Sequence, residues 1–283
     1  MFRLLPRRNP FAARCATLAL GLAFAWPAIA QTPAPAPRVI SDVKDIRFVP
    51  LTALPAAGGS ADDRNGCPQL LTNPVSAGAR RVAAQGWAVL SDLSLGALRA
   101  VSFAGKLEAS TSGTCNVTQG NVAIFDRDRL VALAYGKSAG DPAIGRLAPL
   151  EGGAVRVWDG DIVESPVGDL HVDADGTLRL ARVASADQVC NGRASVPSIY
   201  RLPIDKARKA LAASGWKPVR MKAGVDSRVA GLIRNGIVET RDCAGTGLAY
   251  CSFGYRGAAG ALSVTTAGES EFPSVVDYRV RCR

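Results

Sequence analysis

Six cysteines, Cys67, Cys115, Cys190, Cys243, Cys251 and Cys282, follow the first thirty residues of this chain. An even set in an exported protein reads as a disulfide framework, and each closed loop removes conformations from the unfolded state. Whether they can pair depends on the compartment, and the N-terminus carries an address. Arg3, Arg7, Arg8 and Arg14 precede the apolar run ATLALGLAFAW, and Ala28–Ala30 (AIA) follows it. That layout is a cleaved secretory signal, Met1–Ala30, which sends the chain to the periplasm or the medium. In RRNPF the phenylalanine falls one place late for twin-arginine export, so the general secretory route is expected. Cys15 follows Ala-Ala-Arg rather than the small apolar residues of a lipid-anchored protein. The apolar run is too short to span a bilayer, and no later stretch is long enough, so no transmembrane segment is expected and the mature chain should be soluble. Nucleic acid is disfavoured as a partner by this address. The stretch QTPAPAPR, residues 31–38, reads as an extended proline-rich tether.

The pairing of the cysteines starts from CAGTGLAYCSF, Cys243 to Phe253. A metal site wants closely spaced ligands and usually histidine, but these cysteines lie eight apart and the chain has one histidine. A redox pair would be C-x-x-C. A phosphate-binding glycine loop would need a helix after it, and CSFGY alternates like a strand. A Cys243–Cys251 staple closing a glycine-rich turn remains, contributing about 2–3 kcal/mol by the chain-entropy model. Spacing leaves the other pairs open. The expectation is Cys67–Cys115 within a first domain, and Cys190–Cys282 tying the start of a second to its last strand.

Charge also divides the chain. The net charge is +10, and removing the four leader arginines leaves +6. Residues 31–190 carry 15 basic and 17 acidic side chains, whereas 191–283 carry 15 and 7. The expected fold is mainly β with an α+β part: a β-rich domain over 39–190, and a basic, disulfide-stapled α+β domain over 191–283. The turn formers and prolines of Val189–Pro203 separate them. In the first domain AVSFAG, GNVAIFDRDRLVALAYG, AVRVWDGDIV and DLHVDADGTLRLARV read as strands and hairpins, with one helix in VSAGARRVAAQGW. In the second, a helix capped by Asp205 and ended by Gly215 precedes strands in AYCSFGYRG, GALSVTTAG and SVVDYRVRC. NPVSAGARRVAAQGW and LPIDKARKALAASGW align without gaps, an internal echo sharing Pro74/Pro203, Gly86/Gly215 and Trp87/Trp216.

Catalytic candidates are few. GKSAG, Gly136 to Gly140, matches the nucleophile pattern G-x-S-x-G, and Asp161 and His171 follow in serine-hydrolase order. The pattern demands strand, turn and helix, yet Asp141-Pro142 and AIGRLAPLEGG come next. If Gly176 takes the left-handed position of a hairpin loop, His171 falls opposite Arg179 on the polar face. No catalytic residue, cofactor or metal is expected, and a serine hydrolase using Ser138 is the competing reading.

The last strand points to binding. Alternation in VVDYRVRCR puts Val276, Tyr278, Val280 and Cys282 on one face, and Asp277, Arg279, Arg281 and Arg283 on the other. A row of arginines on a strand suits an acidic protein or an anionic glycan, because the guanidinium fork matches carboxylate and phosphate. Lys206, Lys209, Lys217, Arg220 and Lys222 add charge nearby in sequence. The same charges also suit a plain solvated edge strand that discourages pairing.

ARKALAASGWKP (Ala207 to Pro218) followed by Cys243 to Phe253 resembles a module of uncharacterised exported Gram-negative proteins: a helix ending in Gly-Trp, then a two-cysteine C-x-G-T-G turn. The resemblance covers the last third of the chain and implies export but no activity. The helix alone resembles the start of a PASTA repeat, which would imply peptidoglycan binding, but the cysteine turn departs from that family. The expected function is non-enzymatic binding in the cell envelope. An inhibitor or immunity protein against an envelope hydrolase is the alternative within that class, because a pre-ordered loop such as Ala244–Tyr250 loses little entropy on docking. The residues leave the oligomeric state open.

Overall fold

Short apolar–polar alternations broken by Gly and Asp become strands, and longer periods become helices. The computed structural model describes residues 36–220 and 226–283. The signal peptide, residues 31–35 of the tether and Lys222 lie outside the described residues. In chain order the described strands are β1 (Val39–Ser41), β2 (Ile46–Pro50), β3 (Ala88–Leu95), β4 (Leu98–Ala104), β5 (Lys106–Ala109), β6 (Cys115–Thr118), β7 (Asn121–Asp126), β8 (Arg129–Gly136), β9 (Leu147–Pro149) and β10 (Val155–Trp158). They continue as β11 (Pro166–Val172), β12 (Leu178–Ala181), β13 (Ala186–Val189), β14 (Ala194–Pro197), β15 (Lys217–Pro218), β16 (Thr240–Cys243), β17 (Cys251–Gly257), β18 (Gly260–Ala267) and β19 (Ser274–Cys282). The helices are α1 (Ala77–Ala84), α2 (Ile204–Ala213) and α3 (Ser227–Arg234). The fold is mainly β, with an α+β C-terminal part.

Two five-stranded sheets, ordered β2-β8-β7-β4-β3 and β1-β12-β11-β10-β9, face each other. Ile46, Val122, Ile124 and Ala132 of the first meet Val155, Val157, Leu170 and Leu180 of the second in one buried cluster, a sandwich core. α1 covers the outer face of the first sheet with Ala79 and Val82. The Ser76 hydroxyl caps it, accepting the Ala79 N–H at 3.0 Å. Gly78 is what lets α1 lie so close: a Cβ there would stand 2.6 Å from the Phe125 ring. The β11–β12 hairpin pairs Leu170 with Leu180, His171 with Arg179 and Val172 with Leu178, and Gly176 has φ of +83°.

The C-terminal sheet runs β15-β17-β18-β19, with β16 also on β17. Its inner face, Phe253, Tyr255, Leu262, Val264 and Val275, packs on Ile204, Ala207 and Leu211 of α2 and on Val229 and Leu232 of α3. Asp205 is not the cap of α2. Pro203 holds that position, without a side-chain cap. The Ile204 N–H is satisfied by the Pro273 carbonyl at 3.1 Å, so that donor needs no capping carboxylate. α3 has no counterpart in the expectations. Asp226 caps it, accepting the Arg228 and Val229 N–H groups at 2.8 and 2.9 Å.

The two echoing segments share their ends. Gly86 and Gly215 both have φ of +84°, and the Nε1 of Trp87 and of Trp216 each donates to a backbone carbonyl at 2.8 Å. Their packing differs, since Val75 is 70% exposed and Ile204 is fully buried.

The cystines are Cys67–Cys115, Cys190–Cys282 and Cys243–Cys251, with Cα separations of 6.4, 5.4 and 4.0 Å. Among the described residues no helix is long and apolar enough to cross a membrane.

Candidate functional site

The two faces of β19 are not those of a simple alternation. Asp277 opposes Thr265 but Val275 opposes Thr266, so Val276 is a one-residue bulge. The bulge moves Val275, not Val276, onto the inner face with Tyr278 and Val280, where it is buried. Cys282, which the alternation groups with the apolar residues, is exposed, and its partner Cys190 is the buried half of the cystine.

The outer face is set by register. Arg281 opposes Ala261, which opposes Arg256, which opposes Lys217. In the next row Arg279 opposes Ser263, which opposes Gly254. Arg241 joins from β16: a Cβ on Gly254 would stand 2.4 Å from its Nε and 2.6 Å from its Cζ, so the guanidinium lies over that glycine. The result is a groove of about 590 Å³, walled by Arg241, Arg279 and Arg281 and floored by Ala261 and Ser263. Arg279 touches one carboxylate, Asp277, at 3.6 Å. Among the described residues Arg241, Arg256 and Arg281 form no salt bridge. Arg283 follows at the chain end, exposed, with its N–H bonded to the Ala259 carbonyl at 3.0 Å. Lys206 and Lys209 ride on α2, which covers the opposite face of the sheet.

Arg241 and Arg256 belong to this basic face and were not among the residues expected from the sequence. The alternation of CSFGYRG carries a signal for Arg256. Arg241 had none, since a register shift in the β16–β17 pairing places it.

Beside this face lies a cleft of about 650 Å³, bounded by β9, β13 and β19. A buried ionic knot forms its floor. Arg156, with 2% of its side chain exposed, donates to Asp169 at 2.8 and 2.9 Å and to Asp187 at 2.6 and 2.7 Å. Burial disfavours the guanidinium charge, but the paired bonds to Asp169 and Asp187 outweigh it and hold its pKa above the usual value. The Tyr278 hydroxyl donates to Asp187 on the other side, and burial pushes that phenol upward. Tyr200 stacks on Tyr278 at 5.2 Å and meets the Trp158 ring edge-on at 5.3 Å. Asp187 thus ties the edge strand β19 to the sandwich.

Ser138 sits in an exposed turn, with the Asp141 N–H bonded to its carbonyl. No helix follows it before β9, so the nucleophile elbow is not formed. His171 Nε2 lies 3.0 Å from Asp173 on another sheet, opposite Arg179. No hydrogen bond joins Ser138 and His171 among the described residues. Nor, among these, does any group of three or more His, Cys, Asp or Glu cluster as for a metal ion. Comparison with protein-family models, with curated proteins and with solved structures found no match.

Proposed function

We propose that this chain is a non-enzymatic binding protein of the cell envelope whose ligand is anionic, an acidic protein or an acidic glycan. One observation carries the reading: register gathers Lys217, Arg241, Arg256, Arg279 and Arg281 on one uncovered sheet face over a floor of small residues. Neighbouring strands lie about 4.8 Å apart and same-face residues about 7 Å apart, so each of these charges falls within about one Debye length of a neighbour in the row. Guanidinium groups that are not spent on carboxylates keep their forks for a ligand. The three cystines support an oxidising compartment, the periplasm or the medium.

Arg279→Glu combined with Arg281→Glu tests this. The mature protein should be retained on an anionic matrix at low salt and released at moderate salt, and the double variant should not be retained. Unchanged retention at unchanged thermal stability would reduce the row to a charged edge. Labelling by a fluorophosphonate probe that disappears in Ser138→Ala would overturn the non-enzymatic reading, and no labelling is expected.

A further inference from the structure

We infer that the free edge of β19 takes up an extended peptide as an additional strand, and that the peptide alternates acidic and apolar residues. This deepens the anion-binding reading and rests on it.

The backbone sets the phase. Arg283 donates its N–H to Ala259 at 3.0 Å, one step beyond the Cys282–Gly260 pair. In an antiparallel ladder, bonded and non-bonded pairs alternate. Arg281, Arg279 and Asp277 therefore spend their backbone groups on β18, whereas Tyr278, Val280 and Cys282 turn theirs outward. Val275, beyond the bulge, also turns outward, and its groups are taken: its N–H donates to Leu202 at 2.9 Å and its carbonyl accepts from Arg201 at 2.8 Å. At the other end the Cys190–Cys282 cystine brings the chains to a Cα separation of 5.4 Å, too close for a strand between them. Between these stops no backbone bond reaches the outward groups of Tyr278 or Val280 among the described residues. Both residues line the cleft of about 650 Å³.

Unpaired strand groups of this kind are templates for another strand, and proteins usually blunt them. β9, on the opposite wall, is blunted: Pro149 has no N–H to offer. The open stretch of β19 has neither proline nor bulge. Its only protection is charge, which repels basic strands and attracts acidic ones. An added strand places alternate side chains across from Arg279 and Arg281 on the outer face, where carboxylates pair favourably. Its other side chains fall beside Tyr278 and Val280, over Val189 and Tyr200 in the cleft, where apolar groups fit. Main-chain bonds supply affinity and the alternation supplies selectivity.

The test uses the mature, fully oxidised protein and a blocked hexapeptide of alternating Glu and Val. Binding is read by titration, and hydrogen exchange is followed at the Tyr278 and Val280 amides. The peptide should bind and slow exchange at both amides. N-methylation of the peptide at the alternate residues that face β19 should weaken it at least about tenfold, the loss of two or more hydrogen bonds of about 1 kcal/mol each. N-methylation at the intervening residues should not. Equal weakening by both methylated forms, or binding without protection of the two amides, overturns strand addition. Failure of the peptide while a sulfated polysaccharide still binds in an Arg279- and Arg281-dependent way overturns strand addition alone. Failure of both overturns the anion-binding reading as well.

Discussion

The guanidinium of Arg241 lies across Gly254, 2.4 Å from where a Cβ would stand. A glycine in a strand interior normally costs stability, and here its bareness gives a cation a flat seat on the sheet. Gly254→Ala should lift Arg241 off the groove while leaving the ladder intact. One exposed charge contact is worth about 0.2–1 kcal/mol, so retention on an anionic matrix should weaken up to about fivefold. Unfolding in urea should show no loss of stability. Unchanged retention would mean that Arg241 does not belong to the site.

Arg156 is held by two buried carboxylates, and neither can be left alone cheaply. Arg156→Met fits the space but strands Asp169 and Asp187 without a counter-ion. The expected cost is about 3–5 kcal/mol by urea denaturation. Tyr278→Phe removes one hydroxyl from the same knot and should cost about 1 kcal/mol. Similar small costs for both would show that the knot is solvated in solution.

Asp159 is predicted to give stability an unusual pH dependence. Burial pushes its pKa up to about 6, although the Ser165 and Asp161 N–H groups and Arg201 pull the other way. Between pH 4 and 6 the folded chain therefore holds a proton that the unfolded chain has lost. This group's contribution is present below about pH 4 and fades as pH rises through about 6, by up to about 3 kcal/mol. Asp159→Asn should gain stability relative to the parent as pH rises across that window. A pH-independent difference between the two would show that the carboxyl is not desolvated.

Much of the fold was legible because local signals agreed with the global arrangement. Alternation and Gly176 specify the β11–β12 register, so the sequence alone sets His171 against Arg179. The even cysteine count pointed to cystines, and six paired cysteines are what the structure holds. α3 had readable signals in Asp226, Val229, Leu232 and Gly236, but it is short and follows an unpatterned stretch. The bulge at Val276 was only half readable: the adjacent Val275 and Val276 break the alternation of SVVDYRVRC, but only pairing with β18 shows which of the two is the extra residue. The site suffered most from this kind of loss. Arginines on one strand can be counted from sequence, but Arg241, Arg256 and Arg279 come from three strands and meet only through register. The cleft beside them depends on Asp187, 91 residues from Tyr278, which no local pattern connects.

The Cys190–Cys282 cystine closes a span of 92 residues, by far the longest of the three loops. In the chain-entropy model a loop of that length constrains the unfolded state by about 4–5 kcal/mol, against about 2–3 for the eight-residue loop of Cys243–Cys251. Cys190→Ser with Cys282→Ser should therefore lower stability more than Cys243→Ser with Cys251→Ser. The long loop also has a local job, since it pins the end of β19 against the chain that follows β13. Freed there, the outward groups of Cys282 join those of Tyr278 and Val280, and the open edge grows. The double serine variant should accordingly exchange its residue 282 amide faster and self-associate more readily at moderate salt, where the arginines that keep copies apart are screened. Urea denaturation, hydrogen exchange and sedimentation measure the three effects. Equal stability losses from the two pairs, with unchanged exchange at residue 282, would show that this cystine neither restrains the unfolded chain nor closes the edge.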